Sequence, residues 1–227
     1  METYVVRMWL PDRPGALGQV ASRIGAVRGE IVGIDIPERG AGRAIDELVV
    51  ELPDGALTDL LVQEIQQVDG VDVEEVRPVA QALHDPRLDA LETAAILVGA
   101  QDQDELVESL VAHAKRVIGA HWAAVVALEE GAVVAAEGPI PATGWLLAFV
   151  AGSQESARVT GGAAGADDLV WTPLPAAGLA LVLGRDGTAY RARERRQVAA
   201  LGRIVDTRLR ELARVRARVN HPSCAPR

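Results

Sequence analysis

The chain opens on Tyr4-Val5-Val6-Arg7-Met8-Trp9-Leu10, a run rich in β-branched and aromatic side chains that stops at Pro11-Asp12-Arg13-Pro14-Gly15. Short runs of this kind bounded by Pro and Gly are strands followed by turns. The hydrophobic period then changes. Leu17, Val20, Ala21, Ile24 and Val27 recur at steps of three and four, which predicts a helix with one apolar stripe, Asp12 as its cap, Pro14 in its first turn and Gly29 at its end. Residues 31–36 and 44–52 return to strand composition on either side of Gly40 and Gly42 and read as a hairpin. Leu57, Leu60, Leu61, Ile65 and Val68 form a second helical stripe, Asp69-Gly70 turns the chain, and residues 71–76 alternate as a last strand. The order is βαββαβ. Right-handed crossovers place both helices on one face of a four-stranded antiparallel sheet, a ferredoxin-like arrangement.

Alternation is lost between Ala80 and Leu88, where Pro86 appears, and this marks a boundary. The predicted organisation is a first domain over 1–80, a connection over 81–88, a second domain over 89–219 and a tail over 220–227. The second domain begins with two helical patterns, Leu88, Leu91, Ala95 and Val98, then Leu106, Leu110, Ala114, Val117 and Ile118, with Asp102 as the cap between them. Residues 122–128 and 132–136 flank Glu129-Glu130-Gly131, and 169–174 and 179–184 flank a turn ending at Gly178, so two hairpins are predicted. Between the hairpins, Trp145 to Ala151 reads as a short helix and Gly161 to Ala166 as a loop. A long helix from Tyr190 to about Val219 closes the domain on a stripe of Val198, Leu201, Ile204, Val205, Leu209, Leu212 and Val215. Part of that stripe has the spacing that suits helix pairing. The fold class is therefore α+β throughout.

Composition changes this picture only at its edges. The 227 residues are 49% hydrophobic and 24% charged, ordinary values for folded domains. The longest apolar runs fall far short of the roughly 20 residues that cross a bilayer, and Met1-Glu2-Thr3-Tyr4-Val5 does not begin a secretory signal, so a cytoplasmic protein with no membrane association is expected. Cys224 stands alone in the tail and builds no disulfide or metal cluster. The net charge of −9 is uneven: residues 1–80 hold 15 acidic and 7 basic side chains, whereas residues 191–218 hold 10 Arg against 3 acids. A basic helix face of this kind is a solvated surface or a nucleic-acid contact, and with no helix-turn-helix pattern the first reading is favoured. Arg outnumbers Lys by 22 to 1, the usage of a G+C-rich bacterial genome.

Asp12-Arg13-Pro14-Gly15-Ala16-Leu17, lying between the first strand and helix, with Gly29-Glu30-Ile31 leading into the second strand, resembles the ACT family of amino-acid-binding regulatory domains over residues 3–79. The resemblance implies a ligand near this turn, at the interface of two domains set side by side, and hence at least a homodimer. The candidate ligand-binding residues are Asp12, Arg13, Pro14, Gly15, Ala16, Leu17, Glu30 and Ile31. Gly15 lets a ligand approach with no Cβ in the way, and the first amides of the helix suit a carboxylate. Where amino-acid-binding members often carry amide side chains, this chain has Asp12 and Glu30. Two carboxylates repel a ligand carboxylate and favour an ammonium or other cationic group.

Trp171-Thr172-Pro173-Leu174, the stretch Gly178 to Gly184, and Tyr190 to Arg195 leading into Leu201 make the second half similar to the GAF family of small-molecule sensor domains. No Cys in that domain is placed for a covalent bilin. His113 and His121 lie across a helix-to-strand junction and read as ordinary histidines, and Trp122, Trp145, Phe149 and Trp171 read as core filling or the lining of a pocket. No phosphate loop, metal-spaced Cys or His pair, or Gly-x-Ser-x-Gly elbow occurs, and the acid pairs Asp167-Asp168 and Glu129-Glu130 sit at turns. The expectation is a non-catalytic regulatory protein, without cofactor or metal, that binds an amino acid or similar metabolite and signals through a protein partner. The alternative is a ligand-free adaptor whose two domains only pair.

Overall fold

The computed structural model describes residues 1–79, 86–160 and 167–220, and the chain divides into two compact units, Met1–Asp85 with Arg191–Arg193, and Pro86–Tyr190 with Glu194–Arg227. The predicted loop at 161–166, the tail with Cys224 and most of the predicted connection lie outside the described residues. The α+β class expected from the sequence is observed: two four-stranded antiparallel sheets and a long carboxyl-terminal helix.

In the first unit, strand β1 (Glu2–Pro11) leads to helix α1 (Ala16–Ala26), β2 (Glu30–Gly40), β3 (Arg43–Leu52), α2 (Thr58–Gln66) and β4 (Asp72–Val79). The sheet order is β2-β3-β1-β4, the ferredoxin-like, ACT-like topology. Tyr4, Val6, Met8 and Leu10 alternate onto one face of β1 and pack with Leu48, Val50 and Leu52 of β3 against Val20 and Ile24 of α1 and Leu61 and Ile65 of α2. Leu60, assigned by periodicity to the same stripe, instead lies largely exposed, because the helix is only nine residues long and its buried face is carried by Leu61 and Ile65. The hairpin between β2 and β3 turns through Ala41 and Gly42, both at positive φ, the two-residue geometry whose twist matches that of the strands.

Helix α1 starts later than its pattern predicts. Its cap is Gly15, at φ 88°, and not Asp12, whose amide donates to the Gly42 carbonyl at 2.9 Å. At the other end the helix stops at Ala26. Arg28 takes the left-handed conformation and the Gly29 amide reaches back to the Ile24 carbonyl at 3.0 Å. Gly29 is required there by space: a Cβ would sit 2.8 Å from Ile24 Cγ2.

The second unit comprises α3 (Pro86–Gly99), α4 (Gln103–Ile118), β5 (Trp122–Ala127), β6 (Ala132–Glu137), α5 (Thr143–Thr160), β7 (Leu169–Leu174), β8 (Leu179–Gly184) and α6 (Ala192–Asn220). The sheet order is β6-β5-β8-β7. Asp102 caps α4 as predicted, accepting from the Glu105 amide at 2.9 Å, while Glu105 accepts from the Gln101 amide at 2.7 Å. Leu106, Leu110, Leu181, Leu183, Val198 and Val205 build the core on one face of the sheet, and Trp122, Val126, Leu146, Val150 and Val182 build it on the other. Helix α5 continues past Ala151, beyond the short helix its apolar run marks. Residues 86–88, assigned by composition to the connection, are the first turn of α3.

Helix α3 corrects the sequence reading most sharply. Its expected core stripe faces outward, with Leu88 54%, Leu91 69% and Val98 54% exposed, whereas Thr93, Leu97 and the following Ala100 are buried. Both faces of this helix carry apolar residues, so periodicity alone locates a stripe without saying which one the unit buries. Among the described residues, no helix is long and apolar enough to cross a membrane.

Candidate functional site

Strand β1 ends at Pro11, which pairs with Arg43 at one end of the first sheet, and the chain turns there through Asp12, Arg13, Pro14 and Gly15 before α1 begins. These turn residues are exposed. The turn is held by backbone bonds from the Arg13 amide to the Pro11 carbonyl at 2.8 Å and from the Ala16 amide to the Arg13 carbonyl at 3.3 Å. Gly15 gives α1 no side-chain cap, and nothing lies within 4 Å of where its Cβ would stand. An uncapped helix start, with its partial positive charge, thus faces open space.

Ala16 is buried and Leu17 is half-buried against the core, so both anchor the turn from beneath. Ile31 does the same for β2. Glu30 is exposed but stands far from the turn: it pairs with Glu51 on β3, which pairs with Thr3, whereas the turn follows the pair Pro11 and Arg43. Eight residues of β3 separate the two places, about 26 Å at the rise of a strand. Within one chain, therefore, the structure brings Asp12 to Leu17 together and leaves Glu30 and Ile31 at the opposite end of the sheet.

One residue of this region escaped sequence reasoning. Asp46, on β3, faces the helix-covered side beside Met8, is 5% exposed, and has no hydrogen-bond partner for Oδ1. Burial raises its carboxyl above the ordinary range; Arg39 opposes the rise and Asp12 and Asp35 add to it. The signal in the sequence was faint: a single acid among Ala44, Ile45 and Leu48.

In the second unit, the two histidines singled out by type find different partners, whereas Trp122, Phe149 and Trp171 pack into one apolar cluster on a face of the sheet. The His121 Nδ1 lies 2.9 Å from Asp186 Oδ2 at an exposed turn, and His113 Nδ1 lies 3.1 Å from Arg116, burial foremost and that guanidinium second lowering its pKa. Among the described residues, no group of three or more His, Cys, Asp or Glu is placed to hold a metal ion. Trp122 is buried in the sheet core, while Trp145 stacks on Phe149 at 5.7 Å near the surface. Arg185, 6% exposed, donates to the Ile118 carbonyl at 2.5 Å and to Glu194 at 2.7 Å, and its guanidinium lies 4.0 Å from the Tyr190 ring centroid. Burial pushes the Tyr190 hydroxyl up to about 12. This cluster fixes the start of α6. Several arginines of the basic segment are likewise engaged: Arg195 with the Leu169 carbonyl, Arg208 with the Ala100 carbonyl, and Arg210 with Asp206.

No family model matches the chain, and no curated protein matches it. Among solved structures, the ACT domain from GTP pyrophosphokinase of Chlorobium tepidum is similar at 18% identity over 35% of this chain and 100% of its own, with a TM-score of 0.29. The Stigmatella aurantiaca phytochrome photosensory core module is similar at 15% identity over 83% of this chain and 46% of its own, with a TM-score of 0.41. A formyltetrahydrofolate deformylase from Pseudomonas putida is similar at 15% identity over 35% of this chain and 30% of its own, with a TM-score of 0.28.

Proposed function

We propose that this is a non-catalytic regulatory protein in which the turn Asp12 to Leu17 binds an amino acid or a similar small metabolite between two copies of the first unit. The observation that carries the reading is the uncapped start of α1, opened by a glycine with nothing within 4 Å of its Cβ position. The helix amides that follow Ala16, whose own amide the Arg13 carbonyl takes, suit an anionic group, and Asp12 beside them suits a cationic one, so a zwitterion meets both demands. Glu30, the other acid the family resemblance points to, reaches this turn only from a second copy, one whose β2 edge lies antiparallel to this β2. β2 is an edge strand of the sheet, where a second chain can add.

The outward stripe of α3 supports pairing of the second unit as well. Leu88, Leu91, Ala95 and Val98 follow the alternating three- and four-residue spacing of helix pairs. Beside it runs a groove of about 440 Å³ lined by Val98, Ala200, Ile204 and Arg208. In this reading, ligand binding changes the output only if it binds the two arrangements of the dimer with different affinity, and the signal passes to a protein partner in the cytoplasm. The adaptor reading keeps the pairing and removes the ligand.

A thermal-shift screen of the full chain against the twenty amino acids tests this. A ligand at 100 times its dissociation constant stabilises the native state by about 2.7 kcal/mol. The control is Gly18→Glu: Gly18 sits in the first turn of α1 with nothing near its Cβ position, so the added carboxylate suits the helix start and repels a bound anion. Stabilisation by an amino acid that Gly18→Glu abolishes is the expected result. Silence across the panel with a persistent dimer favours the adaptor.

A further inference from the structure

Asp46 sits three residues along β3 from the pair that carries the turn, about 10 Å at the rise of a strand. Across from it β2 is bulged: Asp35 pairs with Glu47 and Glu38 with Ile45, so Ile36 and Pro37 oppose Asp46. Pro37 has no N–H to offer it. The result is a carboxyl removed from water, with Oδ1 bonded to nothing, on the same face of the sheet as α1; the Arg39 charge acts on it without a hydrogen bond, and the charges of Asp12 and Asp35 act against it. A buried ionised carboxylate without a partner costs free energy, and proteins keep such groups where a ligand completes them.

The geometry points to Asp46, assisted by Asp12, as the seat of a primary ammonium group on the ligand that binds at the α1 turn; this rests on the reading of that turn given above. An ammonium brings both a charge and donors to a carboxyl that has no hydrogen-bond partner for Oδ1. A compact –NH3+ asks for less opening at this buried group than a planar guanidinium does. A divalent cation needs more: Asp12, Asp35 and Asp46 do not form a metal-holding group. The Ala16 amide is taken by the Arg13 carbonyl, and the next amides of α1, those of Leu17 and Gly18, are the donors for a carboxylate, which distinguishes an amino acid from a simple amine.

The test is calorimetric titration of the full chain and of Asp46→Asn with the twenty amino acids, with putrescine and cadaverine, and with the N-acetylated form of each amino acid that binds. We expect binding by one or more free ammonium compounds, none by the acetylated forms, and a loss of about tenfold or more in affinity in Asp46→Asn. Binding of the diamines shows that the ammonium suffices; binding of amino acids alone shows that the carboxylate is needed as well. Ligand-free Asp46→Asn melts at or above the parent, because no bond is lost. If it melts lower, the exposed Asp12→Asn decides, and it too must weaken binding. The proposal is overturned if no ammonium compound binds, if acetylated forms bind equally, or if Asp46→Asn binds as tightly as the parent. Binding lost in Gly18→Glu but intact in Asp46→Asn sinks Asp46 and spares the turn; binding intact in both sinks both.

Discussion

Gly15 and Asp46 hold opposite kinds of stress at one end of the first sheet. At Gly15 the stress is conformational: φ of 88° suits glycine, so Gly15→Ala is expected to destabilise the chain by about 1–2 kcal/mol even though its Cβ meets nothing, as read by chemical denaturation. At Asp46 the stress is electrostatic. A carboxyl whose folded pKa is raised binds its proton more tightly in the native state, so its contribution to stability is fully present below the ordinary carboxylate value and is lost as pH rises through the raised one. Asp46→Asn should therefore flatten the decline of stability across that acidic window, and an unchanged pH profile of denaturation would show that the group is not perturbed. Gly15 was legible in the sequence because Pro-Gly turns mark themselves. Asp46 was not, because β3 buries Ala44, Ile45 and Asp46 in succession and breaks the alternation that would have sorted them.

Among the elements, those with local signals were read closely and those decided by tertiary contact were not. Strands β7 and β8, marked by Gly178, and the start of helix α4, marked by Asp102, fall where the turn and the cap dictate. Helix α3 has the periodicity but turns its stripe outward, since a helix with two apolar faces is oriented by what it packs on. If the proposed pairing runs through this stripe, Leu91→Glu should leave the melting temperature within the range of surface substitutions and weaken self-association in sedimentation experiments; an unchanged association constant, or no self-association in the parent, would count against it. Helix α6 is anchored differently. Arg185→Ala removes the buried donor to the Ile118 carbonyl and to Glu194, so it is expected to cost about 1–3 kcal/mol in urea unfolding.

For the whole molecule, the charge asymmetry noted in the sequence has a partial structural account. Arg195, Arg208 and Arg210 hold carbonyls and Asp206, which are structural duties. The acidity of the first unit gathers in part at Asp12, Asp35 and Asp46 on one side and at Glu30 and Glu51, which pair directly across β2 and β3, on the other. Like charges placed opposite each other destabilise a sheet, and a cation brought near relieves both places. The sequence located the turn and Glu30 separately; it could not show that one chain holds them about 26 Å apart, because that distance follows from strand direction. The central claim, a site shared between two copies, is tested most directly by cross-linking. In a Cys224→Ser background, Arg13→Cys and Glu30→Cys are introduced together and treated with a short bismaleimide. The account predicts a covalent dimer whose yield rises with a bound amino acid, since the two positions meet only across copies; a chain that stays monomeric on a denaturing gel, with and without ligand, would contradict it.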